Sequence, residues 1–592
     1  MKRFITVLLG VALAASLIIA CATPGRAPTG VFTGSAPGHG GTMLVEVELS
    51  RGTIRRIDVV QHNETRFFYE VPFQRIIGSI LNDGNLNVDN VAGATLSSMA
   101  LRASITDALV SAGADISAMT RTVQRPVGGQ TIRKEADVVV VGGGGAGMTA
   151  AIRASQLGAS VIVLEKLAFI GGNTLISGSG FNAVNPRIQL AQNPPVNDSI
   201  ENFFNQTWEG GDRIGNPDLV RILVENALAG IYWTKDLGMQ WQDNIFTIPG
   251  SLFRRANLPV EPLGIGYVDM YRRFVERPGS NIEVLLETRG TELIVEGGRV
   301  VGVRGTNADN NTVEVRARNG VVMATGGFGA NVEMRMRYDT LWHVLDRSIP
   351  TTNLPSIVGD GIRMGQAIGA NVVGMEYIQL LPLGHRATGS LSGLVGNSME
   401  DHVYVNLEGR RFVSEGARRD EMTEALLAQT NSLMFAIIDS RSVPTGDVLN
   451  FFGETHDILV EYGHVYRANT LEELAGLMGV PVAAFVQTIR DFNAAVDRGY
   501  DPEFGRTAFA GRIELPPFYA GPRMPTVHHT MGGLQIDTYT RVINTAGTVI
   551  PGLYAAGEVA GGLHGTNRLG GNALAEMTVF GKIAGESAAL RR

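Results

Sequence analysis

The stretch that most limits what this chain can fold into is residues 137–165. Asp137-Val-Val-Val-Val141 is an apolar run of strand length, Gly142-Gly-Gly-Gly-Ala-Gly147 follows, and a helical pattern continues to about Leu157. A second apolar run, residues 160–164, ends at Glu165. Strand, glycine-rich turn, helix, strand and a closing acid together predict a dinucleotide site. Gly142 makes the tight turn, Gly144 admits a pyrophosphate to the backbone, and Gly147 lets the helix lie close on the sheet. Gly145 and Ala146 open the helix, whose free N–H groups and dipole attract phosphate. Glu165 stands where a carboxylate accepts the ribose hydroxyls of an adenosine, with Lys166 beside it.

At 592 residues the chain exceeds one core, so several domains are expected. A net charge of -7 and the lack of a basic block argue against a nucleic-acid partner. The single cysteine, Cys21, excludes disulfides within the chain and a Cys-based metal site, and no CxxCH occurs for c-type haem. Lys2 and Arg3 precede an apolar run over residues 5–20 that ends Leu17-Ile-Ile-Ala-Cys21. This predicts a signal peptide over residues 1–20, and the residues before Cys21 resemble a bacterial lipobox. The expectation is an exported protein, lipid-anchored at Cys21 on the outer side of the cytoplasmic membrane or in the periplasm. No later segment is long and apolar enough to span a bilayer.

Residues 21–33 read as a tether, inside a Pro/Gly/Ser-rich stretch that runs to Gly41. A small domain follows over residues 34–117. Met43, Val45, Val47 and Leu49 alternate with mostly polar residues as a strand, Arg51-Gly-Thr turns, and residues 54–60 return. Residues 67–81 read as partly helical, broken near Pro72. Asp89-Asn-Val-Ala-Gly-Ala-Thr95-Leu-Ser-Ser98 runs into a helix with Leu101, Ile105 and Leu109 on one face, stopped at Gly113. Thr95 and the serines stand at the helix start, as N-caps or as a phosphate site.

A linker over residues 118–134 leads to the dinucleotide domain, 135–374. Gly171-Gly172-Asn173-Thr174 and Ser177-Gly178-Ser-Gly180 form a second glycine-rich passage that could line a cofactor. Residues 199–235 read as amphipathic helix interrupted between Gly210 and Pro217. Short strands follow, the last broken at Asn319-Gly320 and closing in Ala324-Thr325-Gly326-Gly327, where a chain returns to its cofactor. Gly359-Asp360-Gly361 opens a further helix and is a phosphate or ribose candidate. Residues 375–526 have mixed short elements and more charge and read as an inserted cap domain. Residues 527–592 complete the nucleotide domain.

Two resemblances sharpen this. Asp89-x-x-Ala-Gly-Ala-Thr95 resembles the flavinylation motif of FMN-binding domains in bacterial respiratory flavoproteins, which implies FMN on Thr95 through a phosphodiester bond. The Ser or Thr usual before the glycine is Ala92 here. Thr526-Val-His528-His529-Thr-Met-Gly-Gly533 and His564-Gly-Thr-Asn-Arg568-Leu-Gly-Gly-Asn-Ala573 resemble the fumarate reductase/succinate dehydrogenase flavoprotein superfamily, in its soluble branch of fumarate and urocanate reductases. The fold class implied is α/β: a Rossmann-like FAD-binding domain with an inserted α+β cap, plus a small N-terminal α+β FMN-binding domain. The cofactor implied at Gly142–Glu165 is non-covalent FAD, with further contacts from Asn173, Thr174, Gly178, Thr325, Gly326, Asp360, His529, Glu558, Ala573 and Leu574.

The family motif Phe-Val-x-Glu-x-x-x-Arg-Asp falls on Phe412-Val-Ser-Glu415-Gly-Ala-Arg418-Arg419-Asp420, and implies Arg419 as the acid that protonates an alkene while reduced flavin delivers hydride. Arginine has an ordinary pKa above about 12, so the role needs close contact and a relay; Asp420 and Glu415 are nearest in sequence. His528 and Arg568 match the residues that hold a substrate carboxylate, a role that suits a forked guanidinium. Gly571 joins them at the substrate. Paired histidines could bind metal, but no third ligand stands at a useful spacing, so no metal is expected.

Where a fumarate reductase clamps the second carboxylate, this chain has Leu381, and an ungapped alignment puts Leu394, Val395 and Ser398 at its Thr, Glu and Arg; a gap could bring Glu400 or Asp401 into the relay. Leucine offers a buried carboxylate no hydrogen bond. The substrate expected is therefore an α,β-unsaturated carboxylate of the urocanate, cinnamate or acrylate kind rather than fumarate. Electrons would enter at FMN from a quinol-oxidising membrane protein. Two alternatives stay open: a ketosteroid-type flavin dehydrogenase with Tyr377 as base, and a flavin electron carrier without its own substrate.

Overall fold

The computed structural model describes residues 27–38, 41–122, 128–396 and 398–592. The proposed signal peptide and Cys21 lie outside them. The chain divides into two compact units, Met1–Gln124 and Arg125–Arg592. Among the described residues no helix is long and apolar enough to cross a membrane.

In the first unit an antiparallel sheet of β1 (Gly30–Pro37), β2 (Thr42–Ser50) and β3 (Thr53–Gln61) packs on helices α1 (Glu70–Asp83) and α2 (Thr95–Ser111). Met43, Val45, Val47 and Leu49 meet Leu101, Ile105 and Leu109 in its core, so the two sequence periods each point to the same interior. Two expectations are corrected. The tether reading covered β1, which pairs with β2 along its whole length. Its glycine had a packing reason: a Cβ on Gly34 would fall 2.2 Å from the Ala108 nitrogen of α2. Nor does Pro72 break α1; it lies in the first turn, where its missing N–H removes no helical bond.

The second unit begins with β4 (Thr131–Val141), so the linker reading ran four residues into a strand. After it come α3 (Gly145–Gln156) and β5 (Val161–Leu164). The main sheet runs Thr288–Glu296, Arg299–Asn307, Thr312–Met323, β4, β5, Ile282–Leu285, with Val549–Ala555 parallel to the end of Thr312–Met323. Asn319-Gly320 does not end a strand, as expected from sequence; it lies at a register shift within the continuous strand Thr312–Met323, a β-bulge that keeps the ladder on both sides. The C-terminal helix Asn572–Leu590 packs on α3.

The inserted segment forms an antiparallel sheet, Ile378–His385, Phe518–Thr530, Met434–Ile438, Val403–Asn406, with Tyr466–Ala468 at its side. Phe518–Thr530 is the long strand that leaves the cap and delivers His528 and His529 to the nucleotide domain. At the base of the cap, fully buried Glu415 accepts from Arg411 (2.8 Å) and Arg506 (2.9 Å), and Arg411 also pairs with Asp501. Burial works to raise the Glu415 pKa, but the two guanidinium groups hold it below the ordinary glutamate value. Glu415→Ala leaves buried Arg506 without its ion partner and Arg411 with Asp501 alone, and thermal or urea unfolding should record a loss of about 3 kcal/mol; an unchanged midpoint would refute this view of the network.

Candidate active site

One cavity of about 260 Å³ runs between the nucleotide domain and the cap. Every site residue expected in this unit lines it except Gly147. Gly147 stands outside the cavity, in the packing role its place in the motif gave it, and does not contact the cofactor space. A Cβ on Gly147 would lie 1.9 Å from the Gly142 oxygen, so the glycine serves helix-to-strand packing and not the cavity. Gly142 takes φ +106, which favours glycine. Gly144 has φ -73, and a Cβ built there meets nothing closer than the Gly171 oxygen at 3.9 Å; it faces open cavity.

Glu165 is buried at the end of β5. Its two oxygens accept from the backbone of Gly143 (2.7 Å) and Leu167 (2.8 Å), so its orientation is set before any ligand arrives. Burial pushes its pKa up against those two bonds. Asn173 links to Asn353 (2.6 Å) and Thr174 to the Gly145 nitrogen (3.2 Å). Asp360 bonds Lys166 (2.8 Å), Arg289 and Arg363 (2.7 Å each). Burial works to raise Asp360, yet Arg289 and Lys166 bring it down to about 2, so it is a carboxylate that anchors cations at the cavity edge. These groups fit the adenosine end of FAD: an open glycine turn at a helix start, a fixed acid for the ribose and a cationic flank.

At the other end stand Arg419, His528 and Arg568. Arg419 is the first residue of the helix Arg419–Leu427 and is buried. Its Nε donates to the Pro249 oxygen (2.8 Å) and its Nη1 to Gln379 Oε1 (3.1 Å). The backbone closes around it: a Cβ on Gly250 would fall 2.5 Å from Arg419 Cγ, and one on Gly570 2.8 Å from Nη2. Arg568 Nη2 donates to the same Gln379 oxygen (3.1 Å), and Arg568 Nε is buried without a hydrogen-bond partner. Among the described residues neither arginine has a carboxylate partner. Burial, and then the Arg568 charge, lower Arg419 well below an ordinary arginine; burial lowers Arg568 to about 10. His528 Nδ1 is 2.9 Å from Thr352 Oγ1. Burial followed by Arg419 and Arg568 depresses its pKa, so the ring is neutral.

Several sequence readings are revised here. Glu415 belongs to the Arg411–Arg506 network, and Asp420 pairs with Arg418 (2.6 Å), which also grips Asp212 (2.7 Å). Neither carboxylate bonds Arg419. Glu400 accepts from Thr247 (3.2 Å) and, like Asp401, does not line the cavity. Tyr377 does not line it either, and no tyrosine does. The metal argument from spacing missed a fold contact: His529, His564 and Glu576 place one ligand atom each within 4.8 Å of one another. His564 Nε2 already bonds Glu576 (2.8 Å). Glu558, which accepts from Thr530 nitrogen (2.9 Å), is raised by burial to about 7. Sequence also missed Gln379, Thr352, Phe451 and Phe452; only Gln379 carried a signal, two residues before Leu381.

In the first unit Thr95 is exposed at the first position of α2. The serines are not caps. Ser97 bonds Glu64, while Ser98 accepts from the Val91 nitrogen (3.1 Å) and donates to the Ala94 oxygen (2.7 Å). They pin the Gly93 loop, at φ +89, and leave the Thr95 hydroxyl presented. That fits a threonine carrying a phosphate ester at a helix start.

A dinucleotide fold, a cap, and an unpaired cationic centre between them define a flavoprotein oxidoreductase of the FAD-binding, capped type. Residues 137–574 match the FAD binding domain family and residues 38–110 the FMN-binding domain family. The chain belongs to the flavoprotein family that includes urocanate and fumarate reductases. It is 34% identical to a urocanate reductase of Eggerthella lenta, over 99% of this chain and 98% of that protein. It is 38% identical to an NADH:acrylate oxidoreductase of Vibrio harveyi over 95% of this chain, but spans only 61% of that protein's length. The solved open conformation of a flavocytochrome c3 fumarate reductase is 33% identical with a TM-score of 0.61, covering 77% of this chain and 78% of that one.

Proposed function

We propose that the protein is an FAD-dependent reductase of an α,β-unsaturated monocarboxylate. The observation that carries this is the pair of buried guanidinium groups, Arg419 and Arg568, that share Gln379 and, among the described residues, make no ion pair with a carboxylate, Glu558 and Glu576 acting on Arg568 only at longer range. A buried cation without an anion is costly, and a substrate carboxylate removes that cost. FAD, when bound, supplies the hydride. Arg568 takes the carboxylate through its guanidinium, and neutral His528, with Thr352 on Nδ1, donates to it from Nε2. Holding the carboxylate polarises the conjugated double bond and draws charge toward the two cations. Arg419 donates a proton to the second alkene carbon, for which its lowered pKa suits it better than an ordinary arginine. Hydride on one carbon and proton on the other give the saturated acid.

Tyr377, outside the cavity, leaves the dehydrogenase alternative without a base. Anaerobic mixing of dithionite-reduced protein with a panel of enoates tests the reading: flavin reoxidation by at least one is expected, and none would refute it.

Electrons reach FAD through FMN on Thr95, from a quinol-oxidising protein at the membrane to which Cys21 is lipid-anchored. The NADH named for the Vibrio relative is not carried over, because that protein extends well beyond the matched chain. Thr95→Ala should abolish acid-stable flavin in precipitated protein while FAD stays extractable; covalent flavin that survives the change would refute the Thr95 assignment.

A further inference from the structure

The cavity has two unlike walls. Its cap side is made by Arg419 and six apolar residues: Leu381, Leu383, Leu391, Leu394, Phe451 and Phe452. Among the described residues no polar side chain of the cap other than Arg419 reaches it. Leu381 and Leu394 are buried, while Leu391, Phe451 and Phe452 are half-buried against the cavity. Phe451 meets Phe246 edge to face, with ring centres 6.2 Å apart, and the Phe452 ring reaches to 3.8 Å of the Cβ position of Gly178, beside the glycine-rich floor.

Four of the six, Leu391, Leu394, Phe451 and Phe452, lie on two separated turns that a polar clamp joins. Glu454 accepts from Ser392 Oγ (2.5 Å), the Gly393 nitrogen (2.8 Å) and Asn450 Nδ2 (2.8 Å). From the other side, fully buried Arg523 donates to the Ser392 oxygen (2.7 Å) and to the Gly393 oxygen. Asn450 closes the clamp, with Nδ2 on the Leu394 oxygen (3.0 Å) and Oδ1 on the Phe452 nitrogen (2.9 Å). The turn bearing Leu391 and Leu394 and the turn bearing Phe451 and Phe452 are thereby held in one register. Such a polar network favours one geometry, and two of its bonds, Asn450 to the Leu394 oxygen and to the Phe452 nitrogen, end on backbone that presents an apolar side chain to the cavity.

Resting on the enoate-reductase reading, we propose that this wall is the subsite for an aryl ring on the β-carbon of the substrate, and that Glu454 and Asn450 are its positioning residues. Carboxylate and double bond occupy the His528–Arg568–Arg419 end, and the ring lies against Phe452, Phe451 and Leu394. A planar ring suits two aromatic neighbours, which favour offset or edge contacts. Among the described cap residues a second carboxylate there meets no side-chain donor except Arg419. An unsubstituted acrylate leaves the wall unfilled and forgoes its contact.

The test uses oxidised holoprotein titrated with 3-phenylpropionate and with propionate, followed through the flavin absorbance bands. Phenylpropionate should bind at least roughly tenfold tighter. In Phe452→Ala, and in the milder Phe452→Leu, that ratio should fall toward one. Glu454→Gln should lower it as well, without touching the ligand and with flavin content retained. Equal binding of the two acids by the parent protein, or a ratio that survives both Phe452 changes, overturns the proposal. The two readings fail separately. If acrylate and cinnamate both leave reduced flavin unoxidised while the phenylpropionate preference persists, the reductase reading falls and the aryl subsite stands. If acrylate reoxidises the flavin and no aryl preference exists, the subsite falls alone.

Discussion

Arg419→Gln yields a holoprotein that accepts electrons from dithionite and returns them to an enoate about a thousandfold more slowly, within the range that general-acid catalysis supplies. The expectation follows from contacts. Pro249, Gln379, Gly250 and Gly570 fix the guanidinium from four sides, so no neighbour is placed to move into its role. Glu415 and Asp420, the nearest acids in sequence, are tied to other arginines. Thermal stability should hold or rise, because the change removes a buried cation with no ion partner. This separates lost chemistry from lost fold. The pH profile provides a second readout. The acid must be protonated to act, so kcat declines as pH rises through the lowered Arg419 pKa, and that limb vanishes in the variant. Loss of the Arg568 proton near its pKa of about 10 weakens carboxylate binding instead and raises KM. Stopped-flow reoxidation within tenfold of the parent rate would show that the proton comes from elsewhere.

The parts of this molecule that could be read from sequence are those where one residue has one local reason. The turn at Gly142, the acid at the end of β5 and the period of α2 each declare themselves within a few residues. The arginine pair was legible only through resemblance, since Arg418-Arg419-Asp420 alone reads as a solvated helix start. The structure splits that triplet: Arg418 and Asp420 do make the surface ion pair, and Arg419 turns inward. What sequence hid was assembled over distance. Phe452 and Leu394 share a wall because Asn450 and Glu454 reach across some sixty positions, and nothing local marks such a bond. Composition misled at β1, where Gly, Ser and Pro suggested a tether. There glycine is small so that α2 can approach, a constraint that only the packed neighbour reveals. The metal argument failed in form for the same reason. Spacing along the chain does not bound spacing in space, as His529, His564 and Glu576 demonstrate.

Two glycines of one loop should answer substitution in opposite ways, and the contrast tests the flavin assignment without any turnover assay. At Gly144 the backbone lies at φ -73 and ψ -175, open to any residue, and an added Cβ has 3.9 Å of clearance from the protein. Nothing in the apoprotein asks for glycine there; only a pyrophosphate against the α3 start does. Gly144→Ala and, more severely, Gly144→Val should leave apoprotein folding intact and weaken FAD binding by about 3 kcal/mol, the worth of two charge-assisted hydrogen bonds, or roughly a hundredfold in Kd. Gly147→Ala does the reverse. Its Cβ would stand 1.9 Å from the Gly142 oxygen and 3.2 Å from Ala324 Cβ, so α3 must move off the sheet at a cost of about 1–3 kcal/mol before any cofactor is considered. Flavin titration of the two apoproteins beside their urea unfolding curves gives both numbers. Should Gly144→Val bind FAD as the parent does, the pyrophosphate lies elsewhere in the cavity, and the helix start, for all its exposed N–H groups, is not what holds it.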